Sequence, residues 1–134
     1  MIIIFPFVLL LAGLFSGAVW ADNAAVSEML DVYIQQGAVQ PDAQAGKAIW
    51  LKTFIASDGS IRSCTTCHGN DLKQSGKHVK TKKLIKPMAP SVNPDRLSKT
   101  RNIRKWFRRN CKWTIGRECT VVEKASLLAF INQQ

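Results

Sequence analysis

The chain has 134 residues and a formal net charge of +10, from 19 Lys and Arg against 9 Asp and Glu. That length allows one small domain with a limited core and excludes a multidomain architecture. Every charged residue follows an apolar opening stretch, so the positive excess belongs to the small domain alone.

The opening run, Met1 to Ser16, is apolar and ends near Val19-Trp20-Ala21. Small residues at the last and third-last positions predict signal-peptidase cleavage after Ala21. No Lys or Arg precedes the run, and the stretch is long enough to span a bilayer, so retention as an anchor is the alternative. Either way residues 1–21 are a leader, and the domain over 22–134 is expected to be exported. Within it, 22–44 carries no distinctive motif and reads as a candidate N-terminal extension.

The mature chain is predicted to be helical throughout. Asn23 can cap a helix over Ala24 to Gln36 that Gly37 stops, with Val26, Met29, Leu30 and Tyr33 near one face. A second helix is expected to start after Pro41-Asp42 and to run through Gly46 and Trp50 to about Phe54. Ser57-Asp58-Gly59-Ser60 is a turn, and Gly69 to Pro94, rich in Lys, Gly and Pro, reads as an irregular loop. A third helix fits Lys99 to Asn110. The last helix has the clearest start, because Thr120-Val-Val-Glu123 is a capping box ahead of Ala125, Leu127, Leu128, Phe130 and Ile131. No segment is predicted as a β-strand.

Between the turn and the loop stands Cys64-Thr65-Thr66-Cys67-His68, the C-x-x-C-H form that attaches a c-type haem. Two cysteines three residues apart share one helical turn, where their sulfurs can reach the two vinyl groups of a porphyrin. The adjacent His68 can then serve as the proximal axial ligand. A redox dithiol or half of a zinc site would use the same cysteine spacing. The first should open a helix inside a βαβ unit, which the chain lacks. The second needs a matching ligand pair, and Cys111 and Cys119 are too far apart to supply one. One covalent haem c is therefore the expected cofactor.

The sixth ligand then decides the function, because a strong one makes an electron carrier and a weak or absent one admits small molecules. Met88, framed by Pro87 and Pro90, looks like a ligand-bearing loop but follows His68 closely. His78 lies in a basic loop, where a lone histidine is more often exposed or paired with a propionate. An empty position is a third option. The fourth comes from helix periodicity: Ile103, Trp106, Phe107 and Asn110 are spaced i, i+3, i+4, i+7, and Asn110 ends that stripe. Its amide either bonds local backbone at a helix end or offers its carbonyl oxygen to the pocket.

Three segments, Lys86-Pro-Met-Ala-Pro-Ser-Val-Asn-Pro-Asp-Arg96, Lys105-Trp-Phe-Arg-Arg-Asn-Cys111 and Gly116-Arg-Glu-Cys119 with Glu123-Lys124, resemble the sphaeroides haem protein family. These are small, exported, high-spin c-type cytochromes, and the likeness runs from about Gly46 onward. The resemblance implies an all-α, class I cytochrome c-like fold in which Gly46 and Trp50 sit where the N-terminal helix crosses the last one, near Leu128. It implies Asn110 as the sixth ligand and a Cys111–Cys119 disulfide. It also implies a dihaem cytochrome c and a membrane b-type cytochrome as electron donors. An amide oxygen is a hard donor that ferrous iron holds poorly, so reduction would open the site to dioxygen, nitric oxide or carbon monoxide. Trp106 and Phe107 would line or support the pocket.

The expected function is thus periplasmic electron transfer through a haem able to bind diatomic ligands. A plain carrier closed by Met88 or His78 is one alternative. A redox enzyme acting on a small nitrogen or oxygen species is another, for which Glu118 is the nearest candidate proton donor in sequence. Basic runs over Lys73 to Lys86 and Lys99 to Arg109 suit docking onto an acidic redox partner, and no nucleic-acid partner is expected.

Overall fold

A computed structural model describes residues 23–134; the leader expected over 1–21 lies outside the described residues. The element order is α1 (Ala24–Gln35), α2 (Ala43–Leu51), β1 (Phe54–Ile55), β2 (Ile61–Arg62), α3 (Thr65–His68), β3 (Gly76–Lys77), β4 (Leu84–Ile85), α4 (Thr100–Ile115) and α5 (Val121–Asn132). The chain is mostly helical, as expected. Among the described residues no helix is long and apolar enough to cross a membrane.

The helix ends show the local chemistry at work. Asp42 caps α2 by accepting from the Gln44 amide at 2.8 Å, whereas the Asn23 side chain makes no such bond to α1. Gly37 takes the left-handed backbone (φ +98°) that ends the first helical segment. At α5 the capping box is complete: Thr120 accepts from the Glu123 amide, and the Glu123 carboxylate accepts from the Thr120 amide. Arg117 also donates to Glu123 through two nitrogens at 2.8 Å, and these bonds pull the carboxyl down to about 2.

Four features differ from the sequence reading. Helix α2 stops at Leu51, because Lys52 turns extended (ψ 139°) and Phe54 opens β1. β1 and β2 pair antiparallel around the predicted turn, with Phe54 opposite Arg62. The segment Gly69 to Pro94 is not wholly irregular, since β3 and β4 pair with Gly76 opposite Ile85. These two-residue ladders are too short to show an alternating pattern. Helix α4 runs five residues past Asn110 to Ile115, burying Cys111 and Thr114 on the way, and ends at left-handed Gly116 (φ +84°).

From Ala125 to Ile131, helix α5 is buried on most of its circumference because it lies between partners on more than one side. Ser126 and Phe130 face α2, while Ala125 and Leu128 join Val26, Met29 and Tyr33 of α1 and Ile103 of α4. Helix α1, inside the candidate extension, thus supplies part of the core. A second cluster gathers Trp50, Leu72, Cys111, Cys119, Leu127, Phe130 and Ile131, and Phe107 packs against both clusters.

The α2–α5 crossing is a backbone contact. A Cβ on Gly46 would stand 2.0 Å from the Ser126 carbonyl oxygen and 2.8 Å from the Phe130 Cβ. The contact therefore falls on Ser126 and Phe130, either side of the expected Leu128, which points instead toward α1. A glycine inside a helix costs about 1 kcal/mol relative to alanine, which close packing offsets. Gly46→Ala should destabilise the holoprotein by about 3 kcal/mol through overpacking against rigid backbone, read as a lowered denaturation midpoint at unchanged slope. A wild-type midpoint would mean that the helices can separate at little cost.

Candidate functional site

Helix α3 is a single turn that carries the attachment motif. Cys64 precedes it, and Cys67 and His68 lie within it. Ser63 and the two threonines tie the turn together: Thr66 Oγ1 accepts from the Ser63 amide at 2.9 Å, and Ser63 Oγ and Thr65 Oγ1 share a hydrogen bond. Gly69 leaves the turn at φ +73°. The intervening threonines thus hold the turn, a role the bare motif does not reveal.

Cys64 and Cys67 are unpaired and half-buried. Burial pushes the Cys64 thiol up to about 11, which disfavours the thiolate that redox exchange and zinc both need. Among the described residues no group of three or more His, Cys, Asp or Glu could hold a metal ion. His68 is pushed down to about 4, first by burial and then by the positive charge of Arg96. The imidazole is therefore neutral at ordinary pH, with a lone pair available to iron. Its Nδ1 is buried and has no hydrogen-bond partner among the described residues.

The surroundings fix this turn in place. Trp50 lies with its ring centroid 5.4 Å from that of His68, and its Nε1 donates to the Gly69 carbonyl at 3.3 Å. On another side β3 approaches so closely that a Cβ on Gly76 would stand 2.1 Å from the Cys67 carbonyl oxygen. Arg96 donates to the Lys86 and Pro87 carbonyls, and Asn93 Nδ2 also donates to Pro87, which closes the loop after β4. Unpaired thiols and a neutral, half-buried imidazole beside them suit a haem covalently held by Cys64 and Cys67 with His68 on its iron.

Helix α4 carries the candidate distal residues, and the expected stripe divides. Ile103 is buried and Phe107 half-buried in the core, whereas Trp106 and Asn110 are exposed. Lys105 and Arg109 stand over the Trp106 ring at 5.5 and 5.4 Å. Asn110 lies within the helix, not at its end, and among the described residues its amide has no hydrogen-bond partner. At the next residue, Cys111 is joined to Cys119, with Cα atoms 5.5 Å apart and both residues buried.

The other ligand candidates are held by local contacts that leave their ligating atoms, His78 Nε2 and Met88 Sδ, without a hydrogen bond among the described residues. His78 Nδ1 accepts from the Thr81 amide at 3.1 Å within the β3–β4 turn, so Nε2 is its remaining nitrogen. Met88 is half-buried against the Trp50 cluster, and its amide donates to the Leu72 carbonyl at 2.9 Å. Glu118 is exposed and paired with Lys112 at 3.3 Å.

Sequence reasoning missed Arg62, Gly76, Arg96 and Trp113. Arg62 lies over the Trp113 ring at 4.2 Å, and the His78 ring approaches the same tryptophan at 6.4 Å. No periodicity signals these contacts, because they join segments distant in sequence, Arg62 and Trp113 lying 51 residues apart. Position alone hinted at Arg62, two residues before the first motif cysteine.

Comparison with known proteins agrees with this geometry. A family described as a domain of unknown function, DUF1924, matches residues 36–131. The cytochrome c-type protein SHP of Cereibacter sphaeroides is 37% identical over 126 residues, covering 94% of this chain and 97% of that protein. Cytochrome c″ of Methylophilus methylotrophus is 31% identical over 91 residues, covering 68% of this chain and 63% of its own length. Among solved structures, that of oxidised SHP, described as an oxygen-binding cytochrome c, superposes with a TM-score of 0.74. It is 39% identical and covers 81% of this chain and 96% of its own. Oxidised cytochrome c″ gives 0.73 at 26% identity, covering 84% and 97%.

The close approach at Gly76 makes a direct test of the site. Gly76→Ala should push β3 off α3 and lower the yield of covalently attached haem several-fold, read by haem staining after denaturing electrophoresis. Wild-type attachment would show that β3 is not needed to hold the motif.

Proposed function

Since this chain belongs to the DUF1924 and sphaeroides haem protein families and is a monohaem c-type cytochrome, we propose that it is a periplasmic electron-transfer protein with a displaceable asparagine ligand. Haem c supplies a one-electron iron centre with one exchangeable coordination position. Cys64 and Cys67 hold it, and neutral His68 serves as the proximal ligand. Asn110 would offer its amide oxygen as a second, weak ligand that dioxygen, nitric oxide or carbon monoxide could displace in the reduced protein. Oxygen binding by the relative SHP is in keeping with this reading.

The observation that carries it is the place of Asn110. Asparagine is a poor residue for a helix interior. Here it lies inside α4, its amide without a partner among the described residues, directly before a buried half-cystine. The bridge pins the helix at that point, and closing so short a loop contributes about 2–3 kcal/mol in the chain-entropy model. Burial of both cysteines favours a staple over an exchange partner.

Asn110→Ala should leave the haem attached but abolish the ferric six-coordinate spectrum, while the reduced protein still binds carbon monoxide. An unchanged ferric spectrum would overturn the assignment and favour Met88 or His78.

Arg101, Arg104, Lys105 and Arg108 line a shallow groove on α4, and none has a carboxylate partner among the described residues. We assign this face to an acidic electron donor, by resemblance a dihaem cytochrome c fed by a membrane b-type cytochrome. Exposed charges steer association and are screened by salt. Reduction by an acidic donor should slow steeply as salt rises, and Arg104→Glu with Arg108→Glu should slow it about tenfold at low salt only. A salt-independent rate in the unaltered protein would remove this face as the docking site.

A further inference from the structure

The β1–β2 hairpin ends two residues before Cys64, and its last residue, Arg62, reaches across to α4. The Arg62 side chain is 11% exposed, and its bond to α4 is partly shielded from water while its pair with Asp58 lies at the surface. Its Nε donates to Ser60 Oγ at 2.8 Å, one terminal nitrogen pairs with Asp58, and the other donates to the Trp113 carbonyl at 2.8 Å. Asp58 is itself held in the turn, accepting from the amide and hydroxyl of Ser60. The guanidinium carbon also stands 4.2 Å from the centroid of the Trp113 ring.

Trp113 lies three residues after Asn110 and two after Cys111. Its carbonyl belongs to the last turn of α4, where backbone acceptors lack a partner within the helix. Arg62 therefore grips this helix by its backbone and by a ring at once. A planar fork stacked on an aromatic face can do this, and a lysine ammonium cannot. The grip is made from the attachment side, since the strand that bears Arg62 leads directly into α3. The Cys111–Cys119 bridge holds the same stretch of α4 from the side of α5.

We infer that Arg62 is a positioning residue that sets where Asn110 stands relative to the attachment turn, and so how firmly its amide holds the iron. This rests on the reading of Asn110 as the sixth ligand. A neutral amide oxygen has little intrinsic hold on iron, so its occupancy depends on being held in place beforehand. Freeing Trp113 from Arg62 gives the helix end room to move and lets the amide come off.

The test uses ferric holoprotein titrated with imidazole, which competes with Asn110 for the iron. Arg62→Lys and Arg62→Ala should bind imidazole about tenfold more tightly than the unaltered protein, the order that one charge-assisted hydrogen bond carries. The six-coordinate ferric spectrum should weaken in parallel, and amides of residues 110–115 should exchange faster. In an Asn110→Ala background, Arg62→Lys should change imidazole affinity no further. Unaltered affinity and spectrum in the Arg62 variants overturn the inference, even if the melting temperature falls, because Arg62 is then only a staple. An equal gain in the Asn110→Ala background also overturns it, since the effect would not act through Asn110. If Arg62→Ala does not accumulate folded, Arg62→Lys decides by the same criteria. Should Asn110→Ala alone leave the ferric spectrum unchanged, the ligand reading itself fails, and a response of the Arg62 variants cannot rescue it.

Discussion

Helix α2 can lie on α5 only because residue 46 has no side chain. With the two backbones in contact at Gly46 and Ser126, Trp50 one turn later is driven between Phe130 and His68. Its indole nitrogen then reaches the carbonyl at the end of the attachment turn. A chain of contacts thus runs from a helix crossing to the histidine, and each step narrows the freedom of the next. Dense packing transmits such constraints because there is no slack to absorb them. The same crossing leaves α5 buried on several sides, so α1 and α4 can close over its other face.

Helix α4 gives one secondary element three chemically distinct sides. Ile103, Cys111 and Thr114 are buried, and Phe107 joins the two clusters of the core. Trp106, Asn110 and Trp113 follow one another at i, i+4 and i+7 along a flank that is exposed or half-exposed. Arg101, Arg104, Lys105 and Arg108 form an outer face without acidic partners among the described residues. Under the proposed function, a partner docks on the outside while the flank serves the iron, and the buried side keeps both in register. The bridge at Cys111 and the grip of Arg62 on Trp113 oppose rotation of that helix end from two directions.

Much of the fold was legible in residue order. The capping box at Thr120, the stop at Gly37 and the helical run of α1 follow local rules and appear where those rules place them. Boundaries were less legible where tertiary contacts override local preference. Asn110 reads as a helix end by propensity, yet α4 continues because burial of Cys111 and Thr114 outweighs the cost of one polar residue. Two-residue ladders left no trace in the pattern, since alternation needs more residues than these strands have. Within the candidate site, the motif declared Cys64, Cys67 and His68 by spacing alone. Arg62, Gly76, Arg96 and Trp113 were silent, because what they do depends on neighbours distant in sequence.

What the sequence by itself determined is the chemistry: a C-x-x-C-H turn that takes a covalent haem, a strongly basic domain and a helical frame. These depend on residue type and short spacing, which are local quantities. Tertiary structure decided the environment of that chemistry. It made His68 neutral by burial and by the nearby charge of Arg96, and it raised the Cys64 thiol above the range of a reactive pair. It also left Asn110 within a helix with its amide unbonded among the described residues, and it brought Arg62 onto Trp113. Burial, Coulomb interaction and helix register all depend on distances through space, and only the folded chain sets those.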